Sequence, residues 1–309
     1  MSTTLILETL LVALVFLAVT LVAGNNLASC VGPAIGARIL TKSKGELLGA
    51  AGFASGLVVQ GSWMSNSINN LIPNSTVEIQ VTVLVVAILI FIIAILARVP
   101  LSLSMSLVGL LSGAALALNL WSNIDYISKV AVMWIIAPIV AALLAFFLLR
   151  FINSRKVTNV WRRIRVYKFL LIVLAFTSAY SLGANTLGLI VATAGFNWIT
   201  VSAAIMAIFA GSFFLGEGTI HRVAQEFYLM RYSNATVSLA ASTILVEIAA
   251  FLSIPLSNTQ TTTAAVFGAG ISYKTRFLSL KPYITIIAGW IMAPAVSFAI
   301  GYLILGTWL

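Results

Sequence analysis

Between Leu5 and Leu305 the chain is a succession of apolar runs, and that alone decides what solvent its outer surface requires. The runs fall near Leu5 to Ala23, Leu47 to Val59, Val81 to Ala97 and Val130 to Phe151, then near Leu170 to Tyr180, Val201 to Leu215, Val237 to Ile254 and Ile284 to Leu305. A helix of roughly 20 apolar residues spans the hydrocarbon layer of a bilayer; several runs are shorter, as expected of helices that break inside it. Only 8% of the 309 residues are charged, against roughly 25% in soluble domains, so lipid rather than a protein core is the solvent these runs fit. The expected class is an all-α polytopic integral membrane protein. The first run lacks the basic leader of a signal peptide and reads as a retained span.

The 17 Lys and Arg against 7 Asp and Glu give a net charge of +10. A nucleic-acid partner would need a basic face on a water-soluble domain, and no stretch here supplies one. The charge instead concentrates between the two groups of runs, at Arg150, Arg155, Lys156, Arg162, Arg163, Arg165 and Lys168, while the first seven residues and everything after Pro282 contain no Lys or Arg. The positive-inside rule puts this central segment in the cytoplasm and both termini outside. Each half then crosses an odd number of times, and the halves run in opposite senses, the geometry of an inverted repeat. The expected division is a first repeat over residues 1–152, a basic loop over 153–168 and a second repeat over 169–309.

Short motifs recur at nearly constant separation. Trp134-Ile135-Ile136-Ala137-Pro138 returns 156 residues later as Trp290-Ile291-Met292-Ala293-Pro294. Pro100-Leu101-Ser102-Leu103-Ser104 returns 155 residues later as Pro255-Leu256-Ser257-Asn258-Thr259, and Asn25-Asn26-Leu27 returns after 160 as Asn185-Thr186-Leu187. Each Pro-x-Ser element reads as a break followed by a new helix, because proline disfavours helix in the residue before it and suits the first turn of a helix. Such a start exposes backbone N–H groups and a positive dipole end beside the hydroxyls of Ser102 and Ser104, or Ser257 and Thr259, which is the equipment of an anion site. Either motif alone reads more readily as a proline kink with back-bonded hydroxyls, the commoner fate of Ser and Thr in membrane helices; recurrence in both halves reverses that preference in favour of the site. Asn258, Gln260 and the threonines that follow extend the second copy into a polar run. The Asn motifs pair flexible glycines with side chains that donate and accept, and are expected to unwind their helices; interhelical hydrogen bonding is the alternative use.

At these residues the chain resembles the inorganic phosphate transporter family (PiT, Pho4-type), with its repeated Gly-Ala-Asn-Asp-Val-Ala-Asn-Ser-x-Gly signature. Ala23 to Arg38 lines up with the first copy and Gly183 to Gly188, more loosely, with the second, while the Pro-x-Ser-x-Ser/Thr elements and the Trp-x-x-x-Pro helices are similar to the family's other repeated parts. The resemblance covers essentially the whole chain. It implies an inverted-repeat secondary transporter of phosphate coupled to Na⁺ or H⁺, with Asn25, Asn26, Asn185 and Thr186 lining broken helices and Ser102, Ser104, Ser257, Asn258, Thr259 and Gln260 around the anion. Where the family carries acids this chain carries Asn26 and Asn66. Hydrogen phosphate has a proton to donate and favours an acceptor, whereas sulfate favours donors alone, so the sulfate permeases related to this family define the second substrate reading. Loss of carboxylates also weakens the case for Na⁺ as the coupling ion. Glu247, inside the run Val237 to Ile254, is the remaining intramembrane acid and the candidate proton carrier.

The other acids, Glu8, Glu46, Glu78, Asp125, Glu217 and Glu226, fall at span ends or in loops. An intramembrane enzyme would need clustered acids or two or more histidines, and the chain has one Asp and only His221. Cys30 is the single cysteine, which rules out an internal disulfide and is read as a small packing residue. Neither a metal nor a cofactor is expected. A passive anion channel is the remaining alternative, and the inverted repeat with broken helices favours alternating access over it. A homodimer is an open expectation.

Overall fold

The computed structural model describes residues 3–97, 101–120, 123–154, 159–216, 232–272 and 281–308. Pro100, Arg155, Lys156, Glu217, His221 and Glu226 lie outside these residues. The first half contains α1 (Thr3–Gly36), α2 (Lys42–Gln60), a 3₁₀ turn (Gly61–Trp63), α3 (Met64–Leu71), α4 (Val77–Leu96), α5 (Leu103–Ala117) and α6 (Ile124–Ser154). The second contains α7 (Val160–Leu182), a π-helical turn (Gly183–Leu187), α8 (Gly188–Thr193), α9 (Trp198–Phe214), α10 (Tyr232–Phe251), α11 (Asn258–Ile271) and α12 (Lys281–Trp308). Among the described residues seven helical segments are long and apolar enough to cross a membrane, and each of the eight apolar runs falls on a helix.

The two halves repeat element by element. Both α1 and the segment Val160–Thr193 have 34 residues, and α4 and α10 both have 20 and are 155 residues apart at each end. Helices α5 and α11, of 15 and 14 residues, extend about 21–23 Å at 1.5 Å per residue, short of the roughly 30 Å hydrocarbon core. They are the re-entrant elements. Neither stands out as an apolar run, because each begins in its hydroxyl motif.

The halves interlock rather than sit side by side. Helix α5 packs most extensively on α12 and α11 on α6, while α1 packs on α9 and α2 on α7, so each re-entrant helix is sheathed by the last helix of the opposite half. Small residues permit this. A Cβ at Gly113 would lie 2.1 Å from the Phe298 carbonyl oxygen, and one at Gly268, 155 positions on, 2.0 Å from the Ala142 carbonyl oxygen. Along α6 the side turned to α11 carries Ala137, Ala141, Ala145 and Leu149, all fully buried, and the opposite side exposes Ile135, Ile139, Leu143 and Phe147. This inside-small, outside-large pattern is that of a helix packed in lipid, where close backbone approach replaces hydrophobic collapse as the drive to associate.

Two expectations are corrected. Helix α1 continues unbroken through Gly24, Asn25 and Asn26, and a continuous helix keeps the backbone here on intrahelical partners, which lipid rewards. The second Asn motif is not unwound either; it widens into the π turn and keeps the chain helical. The basic residues expected in a loop over 153–168 lie mostly on helix: α6 runs to Ser154, and Asn159 caps α7 by accepting from the Arg162 N–H at 2.9 Å. Arg163 then donates to the Ile152 carbonyl at 3.1 Å, tying the two helix ends together.

The Gly268–Ala142 contact leaves no room for a side chain. Gly268→Leu is expected to lower stability by about 1–3 kcal/mol, the usual effect of overpacking, read as a fall in the thermal midpoint of the detergent-solubilised protein, while Leu143→Val on the lipid-facing side leaves that midpoint unchanged.

Candidate functional site

Helix α10 ends in a left-handed residue, Ser253, with φ 53°, and the chain runs extended to α11, which begins at Asn258. The Ser253 and Ile254 N–H groups still bond back to the Ala250 and Ala249 carbonyls of α10, at 3.0 and 2.8 Å, and each of the four residues from Ser253 to Leu256 has one further backbone group held by a side chain from another helix. The Tyr126 hydroxyl of α6 donates to the Ser253 carbonyl and shares a 2.7 Å bond with the Ser67 hydroxyl of α3. Asn185 in the π turn donates to the Ile254 carbonyl at 2.9 Å and accepts from the Leu256 N–H at 3.0 Å. The Trp134 indole of α6 donates to the Pro255 carbonyl at 2.9 Å. Six backbone groups of the break, from the Ser253 N–H to the Leu256 N–H, are thus bonded without water.

Beyond the break, Ser257 is the N-cap of α11 and accepts from the Gln260 N–H at 3.3 Å. Its hydroxyl lies 3.0 Å from that of Thr259. In the first half Ser102 occupies the N-cap position of α5 without a side-chain capping bond, and its hydroxyl lies 2.9 Å from that of Ser104. The two halves therefore present the same hydroxyl pair at the same helix position, at buried starts of short helices where backbone N–H groups and the dipole favour negative charge. Asn258 extends the second copy towards the first half: it donates to Ser29 at 3.2 Å and to the Cys30 sulfur at 3.6 Å, both on α1, and accepts from the Ser242 hydroxyl of α10 at 3.3 Å. Ser242 also bonds the hydroxyls of Thr261 and Thr262, each at 2.8 Å. Every group in this cluster is neutral.

The fold thus brings Asn185, Ser257, Asn258, Thr259 and Gln260 together around the start of α11. Thr186 is buried in the adjoining π turn, and Asn25 and Asn26 lie half-buried on α1, one turn before Ser29. Ser102 and Ser104 form their own pair at the start of α5. Glu247 sits half-buried on α10 and accepts from the Ser181 hydroxyl of α7 at 2.6 Å, and Asn66 lies on the exposed side of α3; neither bonds to the α11 cluster among the described residues. No group of three His, Cys, Asp or Glu occurs among the described residues, so a cation held there would rest on neutral oxygens. Sequence reasoning missed Tyr126, Ser67 and Ser242, which carry no local motif. Trp134 belonged to a repeated motif, and its partner in the other half could not be read from spacing.

Because Asn185 satisfies two buried backbone groups at once, Asn185→Leu should destabilise the fold by about 2–6 kcal/mol, the sum for two orphaned groups. The check is thermal unfolding of the purified protein, with Asn25→Leu on the unbroken helix as the milder comparison.

Comparison with known proteins agrees with this geometry. The model of the phosphate transporter family matches twice, at residues 22–166 and 156–301, one match per half. The Methanocaldococcus jannaschii protein named "Putative phosphate permease" is 25% identical over 286 residues, 91% of each chain. Sulfate permease CysP of Bacillus subtilis is 24% identical over 303 residues, 93% of this chain and 84% of that one. A solved structure, "The sodium-dependent phosphate transporter", superposes with a TM-score of 0.82 at 17% identity over 98% of this chain and 100% of that one, a likeness of fold. With both halves matched in order, the chain belongs to the phosphate transporter family.

Proposed function

We propose that the protein is a secondary active transporter that moves inorganic phosphate across the cell membrane by alternating access. The observation that carries this reading is the start of α11: a buried helix N-terminus with the Ser257 and Thr259 hydroxyls 3.0 Å apart, held in an extended break that other helices satisfy, and matched by Ser102 and Ser104 at the start of α5. Neutral donors and helix dipoles can hold an oxyanion without a buried cation, and can release it again because no full charge pairs with it. Membership of the phosphate transporter family, and the name of the archaeal relative, favour phosphate. The basic stretch from Arg150 to Lys168 faces the cytoplasm in this reading, with both termini outside.

Sulfate is the second reading, favoured by the match to sulfate permease CysP along 93% of the chain and by Asn26 in place of an acid. Reconstituted protein should accumulate labelled phosphate against its gradient when a cation gradient is imposed, with excess sulfate competing weakly. Accumulation of sulfate alone would replace phosphate by sulfate, and uptake that merely equilibrates would mean a channel.

Coupling is assigned to H⁺ through Glu247. It lies within α10, bonded to Ser181, one turn before the π turn that holds the break, so a proton on or off this carboxyl alters a contact that reaches Asn185. An intramembrane carboxylate has this as its usual employment. Glu247→Gln should abolish the stimulation of uptake by an inward pH gradient. If uptake and its pH dependence are unchanged, while a Na⁺ gradient drives both proteins, the coupling ion is Na⁺ and Glu247 has no part in it.

A further inference from the structure

The repeated Trp-x-x-x-Pro motif has a physical use that its spacing specifies. In a helix the carbonyl of Trp134 would accept from the N–H of residue 138, but Pro138 has none, so that carbonyl is released from the helix ladder. The Gln260 side chain takes the released position, its Nε2 donating to the Trp134 carbonyl at 2.9 Å. Trp134 is therefore joined to the second half at two points, by its indole to Pro255 and by its carbonyl to Gln260.

This bond settles which way the Gln260 amide points. A carbonyl can only accept, so the NH₂ end must face Trp134 and the oxygen end must face away. That oxygen, Oε1, is buried with no hydrogen-bond partner among the described residues, on a residue only 3% exposed. Buried acceptors without a partner are uncommon and call for an explanation. Gln260 lies in the first turn of α11, where its own N–H bonds Ser257, so the unused acceptor belongs to the same turn as the hydroxyl donors. The first half has no counterpart, because the residue 155 positions earlier is Met105.

We infer that Gln260 Oε1 is the acceptor for the proton of hydrogen phosphate, and that Trp134 and Pro138 are positioning residues that hold its amide the right way round. The inference rests on the transport reading above and names the atom that separates the two substrates. Hydrogen phosphate carries one O–H and meets one acceptor of this kind; sulfate carries none, and leaves Oε1 unpaired against an oxyanion. A site built to bond a substrate hydroxyl discriminates strongly against an analogue lacking it.

The test is the ratio of kcat/KM for labelled phosphate to that for labelled sulfate, measured in proteoliposomes at one pH for wild type, Gln260→Met and Pro138→Ala. Gln260→Met removes the acceptor. Pro138→Ala supplies an N–H that competes with the amide for the Trp134 carbonyl and draws that carbonyl back towards the helix axis, which loosens the hold on the amide without touching the site and with an ordinary helix bond gained. Both are expected to lower the ratio about tenfold, in line with the loss of a hydrogen bond to a charged group, and a general loss of stability would lower both rates and leave the ratio in place. A wild type that carries phosphate together with an unchanged ratio in the two variants overturns this inference alone. A wild type that accumulates sulfate and rejects phosphate overturns the phosphate reading, and this inference with it.

Discussion

A helix that begins inside a bilayer leaves a stretch of backbone with no helical partners and no water to replace them, so side chains from elsewhere must satisfy it or the break cannot exist. In the segment from Ser253 to Leu256 the first two N–H groups return to carbonyls of α10, and Tyr126, Asn185 and Trp134 bond three carbonyls and the Leu256 N–H. These residues come from α6 and the π turn, which belong to different halves. The polar start of α11 is therefore as well placed as the packing of both halves allows, and the geometry of the candidate anion site is inherited from those bonds. Preorganisation of this kind lets neutral groups hold a charge with little rearrangement.

The same dependence explains why the halves are interlocked. Helix α11 needs α6 close enough for Trp134 to reach Pro255, and that approach is possible because Gly268 lies against the Ala142 carbonyl with no Cβ between. Gly113 against Phe298 repeats the arrangement for α5 and α12. In lipid, helices gain little by burying large apolar groups, so the large residues of α6 face outward and the alanines inward. Packing, break and site follow from one another: small residues bring backbones together, the short distance allows side chains to reach the break, and the bonded break presents hydroxyls and N–H groups to an anion.

The two halves are alike in backbone and unlike in chemistry. A hydroxyl pair stands at the start of both re-entrant helices, yet the amide and hydroxyl cluster of Asn258, Ser242, Thr261 and Thr262 occupies only the second half, where the first has Leu103, Ala87, Ser106 and Leu107 at positions 155 residues earlier. Repetition supplies a symmetric frame and substitution within it makes one end polar, so a single substrate can be read asymmetrically. Glu247, the acid inside the apolar run Val237 to Ile254, likewise lies in the second half.

Much of this was legible in the chain itself. The apolar runs determined the solvent, the offset of 155 to 160 residues determined the repeat, and the prolines before Ser102 and Ser257 marked where new helices start, because these are local properties: hydropathy, missing N–H groups and restricted dihedrals act on near neighbours whatever the fold. Tertiary structure alone decided how the polar residues are used. Asn25 and Asn185 look equivalent in sequence, yet the first lies on an unbroken helix and the second clamps a break 69 residues away; Trp134 meets Pro255 across 121 residues. A hydrogen bond is made by whatever stands opposite once helices have packed, and no local pattern encodes what that will be.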